Sequence, residues 1–322
     1  MMSKAKKIWL LVAAALVLAG LIVFGGVMSI LKWDFTKLST VNFETHEYTV
    51  EEEIRDVRLS TRTANVKFCE SEGTEVSVVC VDQKKLEHTV MVQDGTLIIQ
   101  LEDTRRWYDH ISIMSGTGEI TVFLPAGQLG RLTLTASTAD VDIPDSFEFE
   151  SVDISVSTGD VTLGADARRS VKISTNTGDI TLDGVSTGSL ELSVNTGKIL
   201  ATAVECRGDA TISTDTGNVT IQDTTCNSLE IDGDTSKVTL KNVFATEVFD
   251  IETDTGAVLL DRCDAAGLYV KTSTGDVRGT LLTDKIFYTD TSTGHISVPR
   301  STSGGICDVT TSTGDIQFEI IQ

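Results

Sequence analysis

The sequence predicts an all-β fold: a single-stranded parallel β-solenoid (β-helix) of 19–20-residue coils, preceded by one transmembrane α-helix. Three observations predict it. A phrase centred on Thr-Gly, with Thr235-Ser236 standing in for it in one copy, recurs nine times at a spacing of 19 or 20 residues. Apolar and polar residues alternate with period two on both sides of that phrase. A run of 24 residues without a charged side chain, residues 8–31, stands near the N-terminus.

Leu, Val, Ala, Ile and Gly dominate residues 8–31. At ~1.5 Å per residue the run spans a ~30 Å hydrocarbon core with some tilt. Lys4, Lys6 and Lys7 precede it. The positive-inside rule therefore expects residues 1–7 in the cytoplasm and everything after Lys32 outside. The apolar region of a cleaved signal peptide is shorter, ~7–15 residues. Val27-Met28-Ser29 makes a poor cleavage site, and apolar Ile30 and Leu31 continue past it. The expectation is a retained single-pass anchor, with residues 32–40 as a short linker.

The exterior part holds all 47 acids and 23 of the 26 bases, a net charge of −24. A surface that acidic repels nucleic acid and anionic lipid, so neither is an expected partner of the exterior part. It suits cations, basic partners or simple solubility.

The repeat reads Ser157-Thr158-Gly159-Asp160-Val161, then Asn176-Thr177-Gly178-Asp179-Ile180, and so on to Ser312-Thr313-Gly314-Asp315-Ile316. Seven residues before the Gly stand Val152, Val171, Leu190, Ala210 and their equivalents; five before it stand Ile154, Ile173, Leu192 and Ile212. Two residues after it there is always Val or Ile. One face of each strand is thus buried, and the three-residue step across the Gly marks a corner. Such a coil is too short for a βαβ unit. Stacked coils fit it, each buried residue lying over its equivalent ~4.8 Å away, and residues 129–322 form the regular solenoid. Strand parity points the Thr before each Gly inward, where it would hydrogen-bond the neighbouring coil. An outward Thr array binding ice or sugar is the alternative.

Residues 41–128 are less regular and are expected to start or cap the same solenoid, shielding its first open edge. Within them, residues 89–93 and 96–101 flank Asp94-Gly95 and read as a hairpin. Residues 316–321 are apolar with no evident cap, which leaves end-to-end self-association open.

The basic N-terminus, the single span, the Thr-Gly-Asp-Val/Ile repeats and Phe123-Leu124-Pro125 ahead of the regular coils together resemble the bacterial β-strand-repeat family of putative adhesins, membrane-anchored β-solenoids that carry a domain of unknown function. The resemblance covers nearly all of residues 41–322. It implies a cell-envelope setting in the bacterial membrane. Some members look like envelope-stress-associated membrane proteins of Gram-positive bacteria. The shared motifs are corner and core residues, so they speak for the fold more than for a function.

The sharpest candidate site is an acidic face. Asp215, Asp234 and Asp254 precede the Gly by two residues on consecutive coils; Asp232 and Glu252 precede it by four, Glu230 and Asp250 by six. All seven share outward parity. Oxygen ligands in that number invite Ca²⁺, the one cofactor the sequence suggests. The alternative is a solvated face screened by salt, with Lys237 and Lys271 nearby. Six cysteines lie outside. Cys206 and Cys226 fall at equivalent positions on adjacent coils, and form either a disulfide or a pair of stacked core thiols. Cys69 and Cys80 flank residues 70–79 and could bridge a hairpin. Cys263 and Cys307 read as core thiols. No cysteine spacing fits a metal-ligand motif. His46, His88, His110 and His295 are scattered, without a repeat relation to an acid or a nucleophile. Trp107, Tyr108 and His110 form the one aromatic cluster, a packed cap or a sugar-stacking site.

No glycine-rich nucleotide loop, HExxH or GxSxG is present, and no regular coil has a loop long enough to wall a cleft. The expected function is non-enzymatic: a surface-binding, adhesin-like scaffold. The alternative is a regulatory envelope protein contacting a membrane sensor or a wall polymer, with a polysaccharide-active enzyme ranked below both. The expected partner is a cell-envelope protein or a polysaccharide ligand.

Overall fold

The computed structural model describes residues 4–33, 43–104 and 117–321. The aromatic cluster Trp107, Tyr108 and His110 lies outside them, as does most of the 32–40 linker. Helix α1 is Lys4–Ile30, rich in Leu, Ala and Val and free of Pro. Its segment Ile8–Ile30 is long and apolar enough to cross a membrane, and none of its most apolar window is buried.

The other described residues are mostly strand, wound as a β-solenoid of about 10 turns. The irregular region contributes β1 (Phe43–Val50), β2 (Asp56–Thr61), β3 (Ala64–Glu70), β4 (Val76–Gln83), β5 (Leu86–Gln93), β6 (Thr96–Asp103) and β7 (Gly118–Leu124). Then β8 (Gly127–Thr138) and β9 (Val141–Ile143) open a series of in-register parallel coils. Core ladders run straight along it. Leu134 stacks beside Ile154, then Ile173, Leu192, Ile212 and Ile231. Around the corner Ile180 stacks beside Ile199, Val219, Val238 and Val258. These side chains are buried, and each contributes ~1.5–3 kcal/mol by leaving water.

The first corner of each coil explains its glycine. Gly178 has φ 142° and Gly217 φ 153°. A Cβ on Gly178 would lie 2.0 Å from the carbonyl oxygen of Gly159 one coil away. The Thr before the Gly does not point inward. Thr158, Thr177, Thr196, Thr216, Thr235, Thr255, Thr274, Thr293 and Thr313 are all exposed. Alternation stops three residues before the Gly, because the chain begins its bend there and turns the next two side chains outward together. The inward hydroxyls sit at that earlier position: Thr175 Oγ1 donates to Gly159 O at 3.3 Å, Thr272 to Gly256 O at 3.4 Å and Thr311 to Gly275 O at 3.1 Å. The Asp after the Gly also bridges coils. Asp160 Oδ1 accepts the Asp179 N–H at 2.8 Å, and Asp179 Oδ1 accepts the Lys198 N–H at 2.7 Å.

A second corner falls six residues after the first. Gly184, Ala203, Asp223, Asn242 and Arg262 occupy it with φ between 50° and 71°. No single residue type marks it, and a Cβ on Gly184 would meet nothing within 4 Å.

Both ends depart from sequential stacking. At the start, β2 lies between β6 and β8, and β3 between β7 and β9. Beyond that first coil the two faces are extended by antiparallel strands, β5 on β6 and β4 then β1 on β7. Asp94 (φ 53°) and Gly95 (φ 75°) make the β5–β6 hairpin turn. At the other end, the strand Gly305–Thr313 lies between Gly267–Thr274 and Lys285–Thr293, so that Cys307 sits between Leu268 and Phe287. Likewise Ile316–Ile320 lies between Val277–Leu281 and Ile296–Ser297. The open edge is therefore the coil that begins at Lys285, where Tyr288 is 57 % and Ile296 45 % exposed.

Candidate functional site

Strand register brings the predicted acidic face together as rows. Glu230 stands beside Asp250 and Asp232 beside Glu252. Asp215, Asp234 and Asp254 project beside the Thr216–Thr235–Thr255 row. All seven carboxylates are exposed. The rows end at the next coil, where Tyr269 follows Asp250, and Lys271 follows Glu252 and pairs with it. Among the described residues, ligating atoms of three groups converge within 4.8 Å at two places, and neither is on this face.

All six cysteines are free. Cys206 and Cys226 are buried on adjacent coils, and burial pushes the Cys226 thiol up to about 12. Cys69 and Cys80 cannot bridge a hairpin. Strand β7 lies between β3 and β4, pairing Cys69 with Phe123 and Cys80 with Ile120. Two strand spacings, ~9.6 Å, exceed the Cα separation a disulfide spans.

The densest polar cluster is one that sequence reasoning missed. It sits between the two faces at the N-terminal end of the core. Strand β4 points Val76, Val78, Cys80 and Asp82 inward. A tight turn at Lys85 (φ 70°) leads into β5, which points His88 back toward them from the opposite face. His88 is 2 %, Asp82 3 % and Thr61 of β2 7 % exposed. Asp82 Oδ1 and His88 Nδ1 are 2.6 Å apart, and Asp82 Oδ2 accepts the His88 backbone N–H at 2.7 Å. His88 Nε2 is 2.9 Å from Thr61 Oγ1, and the Tyr48 hydroxyl donates to the His88 carbonyl at 2.9 Å. Burial, with a smaller part from the Asp82 charge, pushes the Cys80 thiol up to about 12. The adjoining cavity, lined in part by Asp82, Gln83, His88 and Leu101, is about 20 Å³. That is room for about one water. The Asp–His–Thr relay is thus closed to any substrate larger than that. The only sequence signal was Asp82 at the inward parity of an otherwise apolar strand.

Two of the open grooves along the described residues carry a paired basic side chain. One, of about 400 Å³, is lined by Arg55, Asp56, Arg58, Thr96, Arg131, Thr133 and Glu150. Asp56 holds it in shape: Oδ2 accepts from Arg55 at 2.8 Å and Oδ1 from the Arg131 N–H at 2.7 Å. The other, of about 520 Å³, lies near the open edge between Phe244, Asp264 and Gly304. Buried Lys285 pairs there with Asp264.

Fold and surface together define a parallel β-solenoid with outward side-chain rows, preceded by one apolar helix long enough to cross a membrane. The chain belongs to the Toastrack DUF4097 family, whose pattern it matches over residues 54–214 and 207–321. Among curated proteins, no relative matches it. Solved structures with a similar chain path include a protein named a putative adhesin from Bacteroides fragilis: 14 % identical, covering 86 % of this chain and 97 % of that one, TM-score 0.44. A protein named a putative lipid binding protein from Parabacteroides distasonis is 14 % identical, covering 87 % and 98 %, TM-score 0.46. A protein named a putative adhesin from Parabacteroides merdae is 12 % identical, covering 87 % and 98 %, TM-score 0.34.

Proposed function

We propose that the chain is a non-catalytic binding scaffold, held by α1 in the bacterial cell membrane with its solenoid outside the cytoplasm, and that it engages a cell-envelope protein or polysaccharide through its outward rows. The observation that carries this reading is the unbroken register of exposed threonines from Thr138 to Thr313. A rigid row of identical groups at ~4.8 Å spacing suits a repetitive ligand, because each coil offers the same contact again. Cross-linking on intact cells followed by capture of the chain tests it. Recovery of one cell-envelope protein or polysaccharide, reproducibly enriched, supports the reading. Its absence, with the solenoid accessible to added protease, counts against it.

A second reading is favoured by the arginine groove. In an exterior part of net charge −24, Arg58 and Arg131 stand in one open groove with no salt-bridge partner among the described residues. Such a groove suits an anionic group of a wall polymer and a regulatory envelope role. Retention on a cell-wall preparation, lost in Arg58→Glu with Arg131→Glu, supports this reading; retention unchanged by that pair counts against it.

A further inference from the structure

The cluster between β4 and β5 has the composition and the support of a metal centre. We propose that Cys80, Asp82 and His88 bind one divalent transition-metal ion of the zinc type, which ties the two faces of the solenoid together at its first coil. Their ligating atoms, a thiol sulfur, a carboxylate oxygen and an imidazole nitrogen, all lie within 4.8 Å of one another. Around a tetrahedral ion with metal–sulfur ~2.3 Å and metal–nitrogen or metal–oxygen ~2.0–2.2 Å, ligand atoms are roughly 3.3–3.8 Å apart. To reach that spacing the Asp82 Oδ1–His88 Nδ1 pair, 2.6 Å apart, opens by about 0.7 Å, while the distances to the Cys80 sulfur adjust by up to about an ångström. Sulfur, nitrogen and oxygen together favour a borderline ion such as Zn²⁺ over Ca²⁺ or Mg²⁺, which prefer oxygen alone.

The surrounding contacts are those that orient ligands. Asp82 Oδ2 is held by the His88 N–H at 2.7 Å, which leaves Oδ1 for the ion. His88 Nε2 faces Thr61 Oγ1 at 2.9 Å, which leaves Nδ1 for the ion. A ligating histidine that donates its other ring N–H to a fixed oxygen is the usual supporting arrangement. Charge also balances. One thiolate and one carboxylate neutralise a divalent ion, so the loaded site places no net charge in a core where unpaired charge is costly. On loading, the metal–sulfur bond replaces the S–H bond, and the thiol proton leaves to solvent. The imidazole proton moves from Nδ1 to Nε2, where Thr61 Oγ1 accepts it. The adjoining cavity of about 20 Å³ has room for about one water at the fourth position, since the His46 ring groups with Glu44 and Glu87 instead.

The test uses the full chain in detergent, treated with chelator and then titrated with Co²⁺. The expected result is one equivalent bound with a thiolate-to-cobalt charge-transfer band, displaced by Zn²⁺ and indifferent to excess Ca²⁺. Cys80→Ser removes that band, His88→Gln weakens binding by at least tenfold, and Cys69→Ser changes neither. Cys80→Ala, a small apolar replacement for a buried thiol, keeps the β-sheet circular dichroism while losing the rise in Tm that Zn²⁺ gives the parent chain. Co²⁺ bound without the charge-transfer band, a band surviving Cys80→Ser, or a Zn²⁺-induced rise in Tm surviving Cys80→Ala would each overturn the proposal.

Discussion

A Cβ on Gly233 would lie 2.1 Å from Ser236 Oγ. The two residues are reciprocal substitutes. On the flanking coils the same two positions hold Thr214 with Gly217 and Thr253 with Gly256. On this coil the corner carries the side chain and the inward position three residues earlier gives it up. Ser236 Oγ is 3.2 Å from Thr253 Oγ1, so it joins the inward hydroxyls of the next coil.

Gly233→Thr alone is therefore expected to overpack the corner and cost ~1–3 kcal/mol. Ser236→Gly alone loses a buried hydrogen bond and costs about 1 kcal/mol. The double variant rebuilds the corner of the flanking coils and should melt close to the parent. Melting of the four proteins forms a double-mutant cycle, and the coupling should exceed ~0.5 kcal/mol. Additive losses would show that the two positions do not share space.

The aspartate after the corner glycine is expected to be structural. Asp179→Ala strips the acceptor from the Lys198 N–H and should cost ~0.5–1.5 kcal/mol. Lys198→Ala, at the equivalent position one coil on, should cost less, because no neighbouring N–H is bonded to its side chain in the way Asp179 is. Tm measured for both variants separates the two.

Left-handed backbone at the second corner stores strain where a side chain is present. Ala203 has φ 54° and Arg262 φ 55°. A non-glycine residue there costs roughly 1–2 kcal/mol. Ala203→Gly and Arg262→Gly are expected to raise stability by ~0.5–1 kcal/mol, after the greater freedom of glycine in the unfolded chain is subtracted. Asp223→Gly should gain less, since Asp tolerates this conformation and Asp223 Oδ1 accepts from Asn242 at 2.7 Å. An equal gain at all three sites would remove the strain argument.

The acidic rows should be mildly self-repelling. Asp250→Asn relieves the Glu230–Asp250 adjacency and is expected to stabilise by a few tenths of a kcal/mol at low ionic strength, an advantage that fades by ~0.5 M salt. Ca²⁺ bridging of this face, proposed from the sequence, has its own signature. Millimolar Ca²⁺ would then raise the Tm of the parent more than that of Asp250→Asn. Equal responses of the two proteins would leave the face simply solvated.

Asp56 predicts a response to acid. The Arg55 guanidinium, with help from the Arg131 N–H, holds its carboxyl below the ordinary carboxylate range. A depressed folded-state pKa stabilises the fold fully above the unfolded value of about 3.9, and that stability is lost as pH falls through the folded-state value. The Tm of Asp56→Asn should thus fall less steeply below about pH 4 than that of the parent. Parallel acid curves would show that the carboxylate is not coupled to folding.

How legible each part was follows from how tightly space constrains it. The first corner announces itself because a Cβ on Gly178 would meet a carbonyl oxygen at 2.0 Å, so the same residue recurs. The second corner is open to solvent at Gly184, admits Ala203, Asn242 or Arg262 alike, and leaves no repeated letter to read. Inward parity was extended two residues too far, to the threonines, because alternation alone does not say where a bend begins. The Asp82–His88–Thr61 relay was hidden for a different reason. Its members lie 6 and 27 residues apart, on three strands drawn from both faces, and only the hairpin after Gln83 brings them together.

The placement of Gly305–Thr313 inside the stack has a consequence for how such a rod can change length. Residues after 300 form a penultimate layer, so trimming them would not peel off the outermost coil but would leave it ~9.6 Å, two strand spacings, from its next support, obliged to slide inward. The first coil is enclosed in the same way by β6 and β7. Duplication or loss of a repeat is harmless only between these two interlocked ends, where every coil rests on the one before it. The length of the solenoid is thus a quantity that inheritance can adjust in single-coil steps, from the middle, without touching either interlocked end.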